Sequence, residues 1–171
     1  MTEPGTPSFS VLAIKDLMML DAHEFDQGPK GWRSLIGTTP NETIAEVILQ
    51  YIAQHKAELE LPKGNNYPRI TVLHFHAAQC YMMGGTAHYA SALPLLEQSR
   101  TNYEHSIPWN AYVDATIGFI TKDIEKVRTA LHLVESSAHR DNKSGNAPFI
   151  RSLLNSLASG NYDYKSAYTP K

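Results

Sequence analysis

The sequence predicts an all-α protein, built from antiparallel helix pairs that stack in a short right-handed array with a C-terminal capping helix. Two segments, SALPLLEQS at 91–99 and TALHLVESS at 129–137, share five of their nine residues, have two further near matches and lie 38 residues apart. The same shift aligns small and large apolar positions on either side of them, and self-similarity of this period is typical of stacked helical units. Apolar residues recur at helical spacing, and no segment predicts a strand.

Size and composition favour one globular domain over residues 1–171. Of the 171 residues, 42% are hydrophobic and 19% are charged, which suits a chain with a sizeable core. The net charge of -2 argues against a nucleic-acid binder, because such a protein needs a basic face. No apolar run approaches the roughly 20 residues that cross a bilayer, so no membrane partner is expected. Cys80 is the only cysteine, which excludes an internal disulfide and makes the cytoplasm the simplest location.

The N-terminal third predicts two helices joined by an irregular, turn-rich segment. Residues 10–20 favour a short helix and residues 39–61 a long one. Thr39 and Glu42 match a capping box, with Pro40 at the first helical position. The predicted buried face of the long helix comprises Ile44, Val47, Ile48, Tyr51 and Ile52.

The remaining helices are delimited by prolines, glycines and one aspartate. Pro68 suits the first turn of a helix that Gly84 ends, and Asp123 can cap the second helix of the next unit. Pro148 opens the last helix and Gly160 ends it. The tail has three tyrosines and no periodicity, so it is expected to pack as an extended strap or to stay mobile. The predicted segments are 8–62 for the N-terminal helices, 68–103 and 106–139 for the two repeat units, 146–160 for the capping helix and 161–171 for the tail.

Both units share a small residue and an aromatic residue three positions apart, followed by an Ala-Leu pair. The pattern is carried by Ala78, Tyr81, Ala92 and Leu93 in the first unit and by Thr116, Phe119, Ala130 and Leu131 in the second. It resembles the tetratricopeptide repeat over residues 68–159, although the period of 38 exceeds the family's period of about 34 residues. His74 and Tyr112 occupy the usual tryptophan position. The whole chain also resembles small bacterial proteins, a likeness that implies no activity.

The tetratricopeptide resemblance implies a non-enzymatic protein- or peptide-binding module, with no cofactor, that is a monomer or a weak homodimer. Its concave face would be lined by the first helix of each unit. The side chains there are amides, a histidine, one acid and one arginine, which suit the capture of peptide backbone and a terminal charge. A polar outer face of ordinary amphipathic helices is the alternative interpretation. The binding residues implied by the resemblance are His76, Gln79, Asn110, Asp114, Arg151 and Asn155.

The sequence DAHEFD offers an alternative site for a small metal- or ligand-binding protein or enzyme. Its four candidate groups are Asp21, His23, Glu24 and Asp26. Such groups can hold a divalent cation or act as acid and base. The simpler interpretation is a solvated helix end, so a metal site formed by Asp21, His23 and Asp26 is not expected.

Other reactive side chains favour structural roles. His74 is expected to be a core histidine, and Trp32 to anchor a loop. His76 and Cys80 share a helical face, but two ligands are too few for zinc. Cys80 lies mid-helix among apolar residues, where a thiol is normally inert. No hydrolase, nucleotide-binding or dinucleotide-binding motif occurs, so no catalytic residue is assigned.

Overall fold

The computed structural model describes residues 11–61, 68–102, 107–136 and 145–169. Within these ranges the regular structure is entirely helical, which confirms the all-α prediction. None of the described helices combines the length and apolarity needed to cross a membrane. The α-helices are α1 (Val11–Met18), α2 (Ala22–Gln27), α3 (Asn41–Leu59), α4 (Arg69–Met83), α5 (Tyr89–Gln98), α6 (Ile107–Ile120), α7 (Ile124–Ser136), α8 (Ala147–Ala158) and α9 (Tyr164–Ala167), with short 3-10 helices at Trp32–Leu35 and Thr86–His88.

Helix α3 carries the N-terminal part of the core. All five residues of its predicted apolar face are buried. The ring of Tyr51 stacks on Phe25 with centroids 3.6 Å apart, and its hydroxyl donates to the carbonyl of Leu20 over 2.7 Å. Burial, with added repulsion from nearby acids, raises the pKa of Tyr51 to about 12. The short helices α1 and α2 are therefore held against α3 by aromatic packing and a buried hydrogen bond.

The predicted capping box at the start of α3 is wrong. The helix begins at Asn41, and Pro40 takes the cap position with extended backbone angles of φ -54° and ψ 140°. This start one residue later removes Thr39 from capping distance. Its hydroxyl oxygen is buried and has no hydrogen-bond partner among the described residues.

Consecutive helices pack as neighbours along the chain. Helix α3 packs against α4, α4 against α5 and α6 against α7, while α8 contacts both α6 and α7. The predicted ends are confirmed at Asp123, whose carboxylate accepts from the amide of Lys126 over 3.0 Å, and at Gly160, which has a φ of +76°. Tetratricopeptide-like stacking of these pairs stays a prediction.

The tail contains a short helix, contrary to the expectation of an extended or mobile strap. In α9, Tyr164 is fully buried and its ring meets the edge of Phe119. Tyr168 stacks on Phe149 with centroids 4.5 Å apart, and its hydroxyl bonds that of Tyr112. Four residues are too few to show helical periodicity, so aromatic burial rather than pattern determines this element. The tail thereby covers aromatic side chains of α6 and α8.

Candidate functional site

A groove of about 760 Å³ opens between residues 36–41, the second half of α4 and the tail helix α9. We call it the α3–α4 groove. Trp32 and Cys80 contribute buried parts of its wall, and Met83 is half-buried beside them. Ile36 lines the groove while remaining 58% exposed. An apolar concavity next to an exposed large aliphatic side chain is typical of a binding site.

The shape of the groove depends on the connection between the 3-10 helix and α3. Gly37 has a φ of +85°, a left-handed conformation that residues with a Cβ rarely adopt. The chain turns there and enters α3 through the extended residue Pro40. The side-chain nitrogen of Asn41 donates to the backbone carbonyl of Met83 over 3.2 Å, which holds this connection against the end of α4.

Hydrogen-bonding groups interrupt the apolar lining. The side-chain nitrogen of Gln79 donates to the hydroxyl of Tyr164 over 3.4 Å. Within the described part of the chain, neither this amide nor that of Asn41 receives a hydrogen bond on its carbonyl oxygen. The unpartnered hydroxyl of Thr39 also belongs to the lining. The groove therefore offers both acceptors and a donor for a polar ligand backbone.

The charged lining of the groove is positive. Lys165, on α9, is exposed and makes no ion pair with any described residue. Among the described lining residues there is no aspartate or glutamate. A ligand that enters here meets one unneutralised ammonium group and no carboxylate.

A buried carboxylate lies behind the Trp32 wall. Asp26 is only 1% exposed and accepts hydrogen bonds from the indole of Trp32 (3.3 Å), the ring of His76 (2.8 Å), Arg69 (3.3 Å) and the side chain of Gln27 (2.7 Å). Burial acts to raise the pKa of Asp26, but the hydrogen bonds and the charge attraction of His76 outweigh it and lower the pKa to about 2. The ionised carboxylate thus fixes the indole that forms the groove wall.

Arg33 adds a second arginine to this carboxylate. Its Nη1 lies 3.6 Å from Oδ1 of Asp26, and its guanidinium is 4.3 Å from the centroid of the Trp32 ring. Nη1 is buried and has no hydrogen-bond partner within the described ranges. Two arginines, Arg33 and Arg69, thus share one carboxylate, which leaves a net charge of +1 on these three groups.

Cys80 is a buried thiol in the groove wall, as its mid-helix position predicts. Burial raises its pKa to about 12, against the opposing effect of the Arg33 charge. A thiol with so little thiolate at neutral pH is a poor nucleophile. The described residues therefore give Cys80 a packing role.

Two of the six residues implied by the tetratricopeptide resemblance lie near this groove. Gln79 lines it, and His76 contacts Asp26 behind its wall. Asn110 instead bonds the backbone nitrogen and carbonyl of Thr101, at 3.1 and 2.8 Å, and so fixes the connection between α5 and α6.

The other three residues have their own local partners. Asp114 forms an ion pair with Arg100, and Arg151 forms one with Glu135 of α7. Arg151 and Asn155 together line a separate polar groove of about 540 Å³ beside α8. No contact in the described structure joins all six residues, and their service as one peptide-binding surface stays a prediction.

The acidic segment at 21–26 does not form a convergent site. Asp21 caps α2 by accepting from the amides of His23 and Glu24, both at 2.9 Å. His23 is exposed, whereas Asp26 faces α4. The interpretation of a solvated helix end is therefore wrong for Asp26, because this side chain is buried. Local sequence could not show this, since its partners on α4 are distant in sequence. Among the described residues, no three histidine, cysteine, aspartate or glutamate side chains are grouped to hold a metal ion.

Comparison with known proteins identifies no family for this chain. No protein-family model, curated protein or solved structure matches the chain. The α3–α4 groove and the charged cluster behind its wall are therefore the features of the described structure that indicate a function.

Proposed function

We propose that this protein is a non-enzymatic binding module that holds a short extended segment of a partner polypeptide in the α3–α4 groove. The observation that carries the proposal is a preformed concavity with an apolar wall, a 58% exposed Ile36 and several free hydrogen-bonding groups. Pockets of about 300–1,000 Å³ hold drug-sized ligands. The 760 Å³ of this groove suits a few peptide residues.

A polypeptide uses both kinds of surface in the groove. Apolar side chains pack on Trp32 and Met83, while backbone N–H groups donate to the free carbonyl oxygens of Asn41 and Gln79. A purely aliphatic ligand would leave these amide oxygens without hydrogen bonds, which costs binding free energy. The mixed lining therefore favours a peptide.

A tetratricopeptide-like array, located in the cytoplasm of a bacterial cell, belongs to the same proposal. The packing of α4 with α5, of α6 with α7 and of α8 with both α6 and α7 supports such an array. The tail covers Phe119 and Tyr112 of α6 and Phe149 of α8. The pairing of Asp114 with Arg100 and of Arg151 with Glu135 favours the α3–α4 groove over the surface of six polar residues as the peptide site. The proposal includes that the protein is a monomer or a weak homodimer and that it binds no nucleic acid.

The proposal is tested by selecting ligands from a displayed library of random dodecapeptides on the immobilised full-length protein. Affinities of enriched peptides are then measured by fluorescence anisotropy. Ile36→Asp should weaken binding about tenfold or more, because it places a charge in the apolar rim. The matched control is Leu133→Asp on α7, where the leucine is 42% exposed. Failure to enrich any peptide, or equal losses in the two variants, would overturn the proposal.

A further inference from the structure

We infer that the partner segment is acidic, with an aspartate or glutamate side chain beside Lys165 and an apolar neighbour against Trp32 and Met83. The inference rests on the proposed function and specifies the partner of the same groove. The recognised group is a side-chain carboxylate within a polypeptide.

The first support is the sign of the charge in the lining. The chain as a whole carries a net charge of -2, yet Lys165 is the charged member of the described lining. No described acid neutralises it, so its ammonium group is available to a ligand. A carboxylate at this position forms a charge-assisted hydrogen bond, which is about twice as strong as a neutral one.

The second support is the unused donor at the start of α3. The Thr39 hydroxyl is buried without a partner in the described structure, and no side chain caps the helix. A buried hydroxyl without a hydrogen bond is costly, and a carboxylate oxygen is an acceptor that can receive it.

The third support comes from the other side of the Trp32 wall. Asp26, Arg33 and Arg69 together carry a net charge of +1. Nη1 of Arg33 is buried and lacks a hydrogen bond within the described ranges. Uncompensated positive charge near a low-dielectric wall raises the local concentration of anionic ligands.

The remaining lining distinguishes a peptide carboxylate from other anions. Phosphate is too small to contact the apolar wall, and a fatty acid has no N–H group for the free oxygens of Asn41 and Gln79. Lys165 lies on the exposed side of the groove, where an acidic side chain can reach it while the backbone continues past. An internal acidic residue therefore offers a carboxylate to Lys165 and backbone N–H groups to the free oxygens of Asn41 and Gln79.

The test uses two matched pools of acetylated, C-terminally amidated peptides, which are random in apolar residues around one fixed position. That position is glutamate in one pool and glutamine in the other. The glutamate pool should bind wild-type protein about tenfold more tightly than the glutamine pool. Lys165→Glu should remove this preference, because the ligand carboxylate then meets a like charge in place of its cationic partner. The control, Lys15→Glu on α1, alters an exposed lysine outside the groove and should retain the preference.

A second variant separates recognition of the carboxylate from general damage. Thr39→Val keeps the shape of the side chain and removes the hydroxyl, so it should weaken binding of the glutamate pool severalfold and that of the glutamine pool less. Equal binding of the two pools to wild-type protein overturns the acidic-partner inference but leaves the groove as a peptide site. A glutamine pool with a free C-terminus that binds as tightly as the amidated glutamate pool also overturns it. Absence of binding in both pools overturns the proposed function as well.

Discussion

Nδ1 of His76 lies 2.8 Å from Oδ1 of Asp26, although 50 residues separate them in sequence. An ionised carboxylate can only accept, so the imidazole nitrogen is the donor. The same Oδ1 accepts from the indole of Trp32 over 3.3 Å. This carboxylate therefore couples α2 and α4 to the aromatic wall of the α3–α4 groove, and we expect the stability of the fold to depend on it.

Asp26→Asn should destabilise the protein most at neutral pH. The pKa of Asp26 is about 2, below its ordinary value of 3.8. Ionisation thus stabilises the fold above pH 4 by about 2 kcal/mol, and this contribution is lost as the pH falls towards 2. Removing one member of a buried charge cluster costs about 3–5 kcal/mol. Urea unfolding at pH 7 should show a free energy of unfolding that is lower than that of wild type by this amount. The difference between the variant and wild type should be smaller at pH 3.

The control for this experiment is Asp16→Asn, because Asp16 is exposed on α1. Its free energy of unfolding should differ from wild type by no more than about 0.5 kcal/mol at either pH. If Asp26→Asn were as stable as this control at pH 7, the carboxylate would not be the organising group described above.

Cys80 should be protected from thiol reagents in the folded protein. Burial raises its pKa to about 12, so almost no thiolate exists at pH 8. Modification by a chromogenic disulfide should be at least about a hundredfold slower than in denaturing urea. Equal rates in the two conditions would show that this wall of the groove opens freely.

The tail should contribute to stability through Tyr164. Replacement of this fully buried side chain by alanine should lower the free energy of unfolding by about 3–5 kcal/mol. The matched variant is Tyr162→Ala, because Tyr162 is 40% exposed. Its ring lies under the ammonium group of Lys122 in an exposed cation–π contact. This control should lose about 1 kcal/mol or less. Comparable melting temperatures for the two variants would contradict a structural role of α9.

Asp114→Ala combined with Arg151→Ala distinguishes the two candidate peptide surfaces. Their partners, Arg100 and Glu135, lie outside the α3–α4 groove lining. Peptides selected on wild-type protein should therefore bind the double variant within about twofold, measured by fluorescence anisotropy. A loss of tenfold would return the peptide site to the surface of six polar residues.

Local pattern predicted much of the helical structure correctly. The spacing of Ile44, Val47 and Tyr51 identifies the buried face of α3, because helical periodicity and burial coincide there. Asp123 caps α7 as expected, since capping depends on residues within one turn. The helix in the tail is not predicted by the sequence pattern, because α9 is only four residues long and is fixed by contacts with α6 and α8.

The candidate site was less predictable, since it depends on contacts between distant segments. Asp26 resembled a surface acid because Arg69 and His76, its partners, lie more than 40 residues away. The tetratricopeptide resemblance implies Gln79 as a binding residue, whereas Lys165 lies in a tail without periodicity. Gly37 was the available signal for a fixed turn beside the groove.

The proposed peptide site in the α3–α4 groove can be located directly in solution. The most direct measurement is the change in backbone amide chemical shifts of isotope-labelled protein as a selected peptide is added to saturation. The largest changes should map to residues 36–41, 79–83 and 165–168, with little change along α7. Saturable binding whose largest changes instead map to Asn110, Asp114 and Arg151, with residues 36–41 unaffected, would contradict the proposal.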